Sequence, residues 1–195
     1  MKTFKNAIVI TGGIGTGKST VSQLIKAKGY KVIDADEISH QILDDSYGEI
    51  SSLFGSEFVK DDKVLRKKLG NLVFHDKEKL TKLESLLHPK VKDEILKQAL
   101  NLEKENKYYF IDIPLFFETK NYMEFNKVLV VYAPKELALE RIMRRNKLTK
   151  EEALVRLNSQ INIEEKKKLA TFLIQNIGSK DELEEKVVEF LEDIL

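Results

Sequence analysis

The sequence contains no cysteine and no tryptophan, and its 195 residues include only three prolines and nine glycines. Without cysteine there can be no disulfides, thiolate nucleophiles or cysteine-based zinc sites, which is consistent with a reducing compartment. No apolar run approaches the roughly 20 residues of a membrane-spanning helix, and the first residues lack the apolar core and cleavage site of a signal peptide. We therefore predict a cytoplasmic protein that does not bind a membrane.

Net charge is also almost absent. The 33 Lys and Arg residues face 32 Asp and Glu residues, which leaves a formal net charge of +1. This balance gives no global electrostatic case for binding nucleic acid or an anionic membrane. Hydrophobic residues make up 42% of the chain, enough for a real core in one domain, or in one domain with an insertion. We expect small-molecule partners, no nucleic acid, and no requirement for an oligomer.

Short apolar strands alternate with helical patterns along most of the chain. The strand candidates are near-continuous apolar runs, which are typical of a parallel sheet covered on both faces. They lie at residues 7–11, 31–34, 108–113, 128–132 and 172–174. Helix signals lie between them: Gly29 ends the first helix, Pro134 precedes another, and capping boxes begin at Thr149 and Ser179. The chain is predicted to be an α/β protein.

Residues 37–107 interrupt this alternation. They contain helical patterning and no convincing strand, and Pro89 is predicted to end the middle helix. About 70 residues are too many for an ordinary connection between a helix and a strand. We therefore predict a core of residues 1–36 and 108–195, with residues 37–107 inserted as a helical lobe.

The stretch TGGIGTGKST, residues 11–20, contains four glycines and one lysine between a predicted strand and a predicted helix. Gly12, Gly17, Lys18 and Ser19 form the pattern G-x-x-x-x-G-K-S, the phosphate-binding loop known as Walker A. Glycines let backbone N–H groups converge on phosphate oxygens, and the following helix presents its positive N-terminal end. Lys18 can reach the β- and γ-phosphates, and the Ser19 hydroxyl can coordinate Mg²⁺. A bare tight turn would need neither side chain.

Acidic residues follow two of the predicted strands. Asp34 and Asp36 come at the end of the second strand, where open α/β sheets bind ligands. These aspartates can act as a base or magnesium ligand at this edge, or cap the next helix, and an extended chain would point both to the same side. The residues alone therefore do not separate them. Asp112 ends the third strand at the Walker B position, and with Ser19 it is a candidate ligand for Mg²⁺.

A cluster of arginines follows the fourth predicted strand. It comprises Arg141, Arg144 and Arg145, and Arg156 comes later. An arginine that closes over the γ-phosphate stabilises charge in the transition state. Any single arginine here more often belongs to a solvated helix face. The position of the cluster at the loop edge favours a lid, predicted at about residues 141–165.

Five segments together resemble the dephospho-coenzyme A kinase family. They are TGGIGTGKST, VIDAD, LLHP at 86–89, DIPLFFE at 112–118, and the arginine-rich segment that ends in LNSQ. This order around an inserted helical lobe is far more specific than the phosphate loop alone. The resemblance implies a three-layer P-loop NTPase-type core with a five-stranded parallel sheet, an inserted helical substrate lobe and a helical lid. It implies phosphorylation of the ribose 3′-hydroxyl of dephospho-coenzyme A by ATP with Mg²⁺, the last step of coenzyme A biosynthesis.

The resemblance also implies roles for particular residues. Asp36 would be the catalytic base, while Lys18 and Arg145 would neutralise the migrating phosphoryl group. The implied ATP-binding residues are Gly12, Gly13, Ile14, Gly15, Thr16, Gly17, Lys18, Ser19, Thr20, Arg141, Arg145 and Asn176. The implied substrate-binding residues are Asp36, His88, Pro89, Leu115 and Glu118. By residue type alone, a histidine before a proline at a helix end is more often a C-terminal cap than an acid or base.

Two alternatives remain at this level. A phosphate loop also serves kinases for other small hydroxyl compounds, such as a nucleoside or a sugar acid. A GTPase-like switch is the second alternative, because DSYG at 45–48 matches the pattern D-x-x-G. That match lies in the helical lobe, however, and NKLT at 146–149 lacks the aspartate of the guanine-reading N-K-x-D.

Overall fold

The computed structural model describes residues 4–194. The chain forms two compact units, one of residues up to 33 together with residues from 99 onward, and one of residues 34–98. The strands are β1 (Ala7–Gly12), β2 (Val32–Asp34), β3 (Val59–Lys60), β4 (Lys63–Val64), β5 (Tyr109–Asp112), β6 (Val128–Tyr132) and β7 (Phe172–Gln175). The helices are α1 (Lys18–Ala27), α2 (Ala35–Asp45), α3 (Tyr47–Phe54), α4 (Arg66–Phe74), α5 (Lys77–Glu103), α6 (Phe116–Thr119), α7 (Lys135–Asn146), α8 (Lys150–Asn158), α9 (Ile163–Lys168) and α10 (Lys180–Asp193). The functional division predicted at residues 36 and 107 stays a prediction.

A five-stranded sheet in the order β2-β5-β1-β6-β7 forms the centre of the first unit. Strand β1 pairs in parallel with β5 and β6, and β6 pairs in parallel with β7. Every residue of β1 is buried, which explains why its sequence is a continuous apolar run. The predicted five-stranded parallel α/β fold is confirmed.

The strand order fixes where a ligand can bind. Strands β2 and β5 lie to one side of β1 in the strand order, and β6 and β7 lie to the other. The connection from β5 to β6 therefore crosses β1. The direction of winding therefore reverses at β1, and open α/β sheets bind ligands at the carboxyl ends of the strands at such a point. The loop that follows β1 lies there.

Helices α1 and α10 cover one face of the sheet. The buried cluster there joins Ile10, Phe110 and Leu129 of the strands to Ile25 of α1 and Val187 of α10. Several helix boundaries follow the sequence signals. The capping boxes at Thr149 and Ser179 are both formed, and α7 begins directly after Pro134.

None of the helices within residues 4–194 has the length and apolar content to cross a membrane.

The second unit has a small core of its own. Ile50, Phe58, Val64, Leu69 and Val73 are all buried in it. Strands β3 and β4 pair antiparallel within this unit, so the expectation that residues 37–107 contain no strand is wrong.

The hairpin turns at Asp61 and Asp62, whose φ angles are +50° and +55°. A two-residue turn with two positive φ angles matches the right-handed twist of paired strands. Strands of two residues are too short to produce an alternating pattern, which is why the sequence did not indicate them.

Pro89 does not end a helix. It lies inside α5, a continuous helix of 27 residues. A proline removes one helical hydrogen bond and costs about 3 kcal/mol in a helix interior. Leu87, Val91 and Ile95 continue the apolar stripe at four-residue spacing past the proline, and all three are buried. Burial of this stripe offsets the local cost, so the prediction of a helix end at Pro89 is wrong.

Candidate active site

The glycine-rich loop connects the end of β1 to the start of α1. Gly17 is the N-cap of α1, with a φ angle of +91°, and no side chain caps this end of the helix. The first N–H groups of a helix have no partner within the helix, so they are available to an anion. Ser19 is exposed in this first turn. The loop therefore presents the donors that the Walker A pattern predicts.

Gly15 is required by both its backbone and its neighbours. Its φ angle is +81°, and a Cβ atom at this position would lie 2.6 Å from the Ala138 carbonyl oxygen and 3.0 Å from a side-chain carbon of Ile142. Both neighbours belong to α7. The loop therefore packs against the helix that carries the arginine cluster, with no room for a side chain.

Gly15→Ala should weaken the binding of a nucleoside triphosphate by about 10- to 100-fold, because relief of the clash displaces the loop or α7 and small misplacements of a site are costly. Gly29→Ala is a matched control, since Gly29 also has a positive φ angle, +90°, but open space around its Cβ position. The control should lose about 1 kcal/mol of stability and keep its affinity for the nucleotide. Nucleotide titrations and thermal melts of both variants measure this, and equal affinities in the two would contradict the steric explanation.

Lys18 and Asp112 form an ion pair at the carboxyl edge of the sheet. The other carboxylate oxygen of Asp112 accepts a hydrogen bond of 2.6 Å from the Ser22 hydroxyl. Asp112 is only 4% exposed, so these two donors replace the water that its carboxylate has lost. Ser22 was not predicted as a site residue, although it lies one helical turn after Lys18 and so on the same face of α1.

Asn176 and Arg141 support the loop from the side of β7 and α7. The Asn176 amide donates a hydrogen bond of 2.8 Å to the Thr16 carbonyl oxygen. The Arg141 guanidinium donates to the Asn176 carbonyl oxygen at 3.1 Å, and burial lowers the pKa of this arginine. Arg145 is exposed and bonds to the side chain of Asn146. Of the two arginines that the resemblance implies, only Arg141 contacts Asn176, the residue that bonds to the loop at Thr16, among the hydrogen bonds of residues 4–194.

The segment after α8 contacts the loop a second time. The Gln160 side-chain oxygen accepts a hydrogen bond of 2.8 Å from the Ile14 N–H group. The Glu118 carboxylate accepts from the Ile161 N–H group at 3.2 Å and pairs with the Lys166 ammonium at 2.7 Å. Gln160 is part of the LNSQ motif, and Lys166 was not predicted from the sequence. The sequence gives little indication of either contact, because both residues lie in polar runs, NSQ and EEKKK, in which no residue is expected to be buried.

The two aspartates of VIDAD have different environments. Asp34 is the N-cap of α2, and its carboxylate accepts from the N–H groups of Asp36 and Glu37, both at 3.1 Å. Asp36 lies in the first turn of α2 and is exposed. The expectation that both side chains point the same way along an extended chain is wrong, because the strand ends at Asp34. The capping role belongs to Asp34, which leaves Asp36 as the better candidate base.

The remaining predicted substrate residues lie on α5 and on or directly before α6. His88 and Pro89 are exposed in the middle of α5, so the interpretation of His88 as a helix cap is wrong. Leu115 directly precedes α6 and is 42% exposed. Glu118 lies in α6, where one of its carboxylate oxygens contacts both the Lys166 ammonium and the Ile161 N–H group. Their roles toward an acceptor stay predictions.

A parallel sheet wound in this order, with a Walker A loop at its switch point, places the chain among the P-loop nucleotide-binding proteins. A family model described as dephospho-CoA kinase matches residues 6–182. The chain belongs to the dephospho-CoA kinase family.

Individual relatives agree with this assignment. A dephospho-CoA kinase of Sulfurimonas denitrificans is 49% identical over 191 residues, which cover 98% of this chain and 95% of that protein. One of Helicobacter pylori is 45% identical over 193 residues, which cover 98% of both. The solved structure of dephospho-CoA kinase from Campylobacter jejuni has a TM-score of 0.76 and 42% identity, and the match covers 98% of both chains. These similarities to kinases also leave the switch alternative without support.

Proposed function

We propose that this protein transfers the γ-phosphoryl group of ATP to the ribose 3′-hydroxyl of dephospho-CoA, which yields CoA and ADP. Membership of the dephospho-CoA kinase family supports this activity. The observation that carries it at the level of atoms is the uncapped N-terminus of α1 behind a glycine-rich loop, with the Lys18 ammonium alongside. That arrangement suits the phosphates of a nucleotide.

In the proposed reaction, Asp36 accepts the proton of the 3′-hydroxyl as its oxygen attacks the γ-phosphorus. The bond between the γ-phosphorus and the β,γ-bridging oxygen breaks, and ADP leaves. Positioning and charge neutralisation supply most of the catalysis in such transfers. Lys18 neutralises the migrating group together with Arg145, as the resemblance implies. Arg141 is proposed to act from the ATP side, through its contact with Asn176.

The residues present fit a magnesium ion bound with the nucleotide. No group of three or more metal-binding side chains exists within residues 4–194. Mg²⁺ in kinases is usually held by only one or two protein ligands together with substrate phosphates. The Ser19 hydroxyl and the Asp112 carboxylate, both at the carboxyl edge of the sheet, would supply these ligands. When bound, the ion neutralises charge on the phosphate oxygens.

The activity is tested with Mg·ATP and three acceptor conditions: dephospho-CoA, adenosine, and no acceptor. ADP release is followed by a coupled assay, and the product is identified by mass spectrometry. We expect ADP only with dephospho-CoA, and a product that has gained one phosphate. If ATP binds but dephospho-CoA is not phosphorylated, the acceptor assignment is wrong and a kinase for another small hydroxyl compound becomes the better hypothesis. A cytoplasmic location stays a prediction.

A further inference from the structure

Lys166 is completely buried, with 0% of its surface exposed, which is rare for a lysine. Its ammonium donates a hydrogen bond of 2.9 Å to the Gly12 carbonyl oxygen and lies 2.7 Å from a carboxylate oxygen of Glu118. Lys168, two residues later on the same helix, is exposed and pairs with Glu165 at the surface. The burial of one lysine among three in sequence requires a specific explanation.

The contact with Gly12 controls the direction of a backbone donor. The carbonyl of Gly12 and the N–H group of Gly13 belong to one planar peptide unit, and in a trans peptide they point in opposite directions. A bond that holds the carbonyl toward Lys166 therefore holds the N–H group away from it. Gly12 and Gly13 are the first two residues of the phosphate loop, so the bond orients the loop where it leaves the sheet.

Two further contacts make this arrangement stable. Glu118 compensates the buried charge of Lys166, and a buried ion pair is tolerated when both partners have further hydrogen bonds. Gln160 holds the Ile14 N–H group at 2.8 Å from the same side. Residues 160–166 thus hold the loop at both Gly12 and Ile14, close to the point where phosphates would bind.

We propose that Lys166 is a positioning residue for ATP: its buried ammonium orients the first peptide of the phosphate loop. The inference rests on the proposed function, since it takes the loop to be the ATP site. Loss of Lys166 should therefore weaken ATP binding even where the fold is intact.

The test measures ATP affinity by titration calorimetry without acceptor, so that the acceptor site does not contribute. Lys166→Met should weaken ATP binding by about 10- to 100-fold, as expected for a hydrogen bond to a charged group. Lys168→Met, on the same helix, should bind ATP like the wild type. Thermal melts of each variant record any loss of stability separately.

Lys166→Met leaves the Glu118 carboxylate without its cation, which can unfold the protein. The double variant Lys166→Met/Glu118→Gln removes both charges, and Glu118→Gln alone is its reference. The double variant should bind ATP about 10-fold or more weakly than this reference. Equal ATP affinity in these two proteins would overturn the inference, and so would failure of both Lys166 variants to fold, because the lysine would then serve only stability. A wild-type protein that does not bind ATP would overturn the proposed function itself.

Discussion

Asp36→Asn should lower kcat by about 100- to 10 000-fold, the range expected when a general base is removed. The asparagine keeps the size of the side chain but cannot take the proton of the acceptor hydroxyl. Because Asp36 is exposed, the substitution should change the melting temperature far less than kcat, and it should leave the dissociation constant of ATP nearly unchanged. Single-turnover phosphoryl transfer and ATP titration would measure the two effects separately.

Asp34→Asn is the matched control for this experiment. Asparagine caps helices about as well as aspartate, so the hydrogen bonds that Asp34 accepts from Asp36 and Glu37 should persist. We expect turnover within about threefold of the wild type. If Asp34→Asn lost activity and Asp36→Asn kept it, the roles of the two residues would have to be exchanged.

Lys18→Met should lower kcat/KM for ATP by about 1000-fold, since a cation directed at developing phosphate charge is among the largest single contributions to catalysis. Part of any loss could come from instability, because the buried carboxylate of Asp112 would lose its cation. Steady-state kinetics must therefore be read together with the melting temperature.

Two variants separate charge from stability in this case. Lys28→Met removes a lysine at the other end of α1 that pairs with Glu184 at 3.1 Å, and it should leave turnover unchanged. Lys18→Met/Asp112→Asn removes both members of the buried pair, so it should melt closer to the wild type than Lys18→Met does, yet remain inactive. Recovery of activity in this double variant would show that Lys18 has no role beyond its pairing with Asp112.

The parts of this fold that the sequence predicted are those where one physical effect dominates. Strands β1 and β6 are buried on every residue, so burial leaves a continuous apolar run in the sequence. The capping boxes at Thr149 and Ser179 are local, and both form as predicted. At Pro89 the local tendency of proline to end a helix is outweighed by burial of the apolar stripe of α5, so the helix continues.

The candidate site was predictable where it is encoded in consecutive residues, as in the loop from Gly12 to Thr20. It was not predictable where chain-distant groups meet. Lys166 is 154 residues from Gly12 in the sequence, and its run of three lysines reads as a solvated helix. Only Ile163, buried one turn earlier, marks the face of α9 that turns inward.

Because Lys18 is paired with Asp112, the charge of a ligand affects how readily it binds to the loop. A ligand that takes up the Lys18 ammonium must compete with this single carboxylate, so greater negative charge favours the exchange. The polyanionic tail of a nucleotide therefore competes better than chloride or another monoanion does. The Asp112 carboxylate lowers the affinity of the loop for every anion, because each must compete with it for Lys18. It lowers the affinity for weakly charged anions most, and selectivity is this difference between affinities.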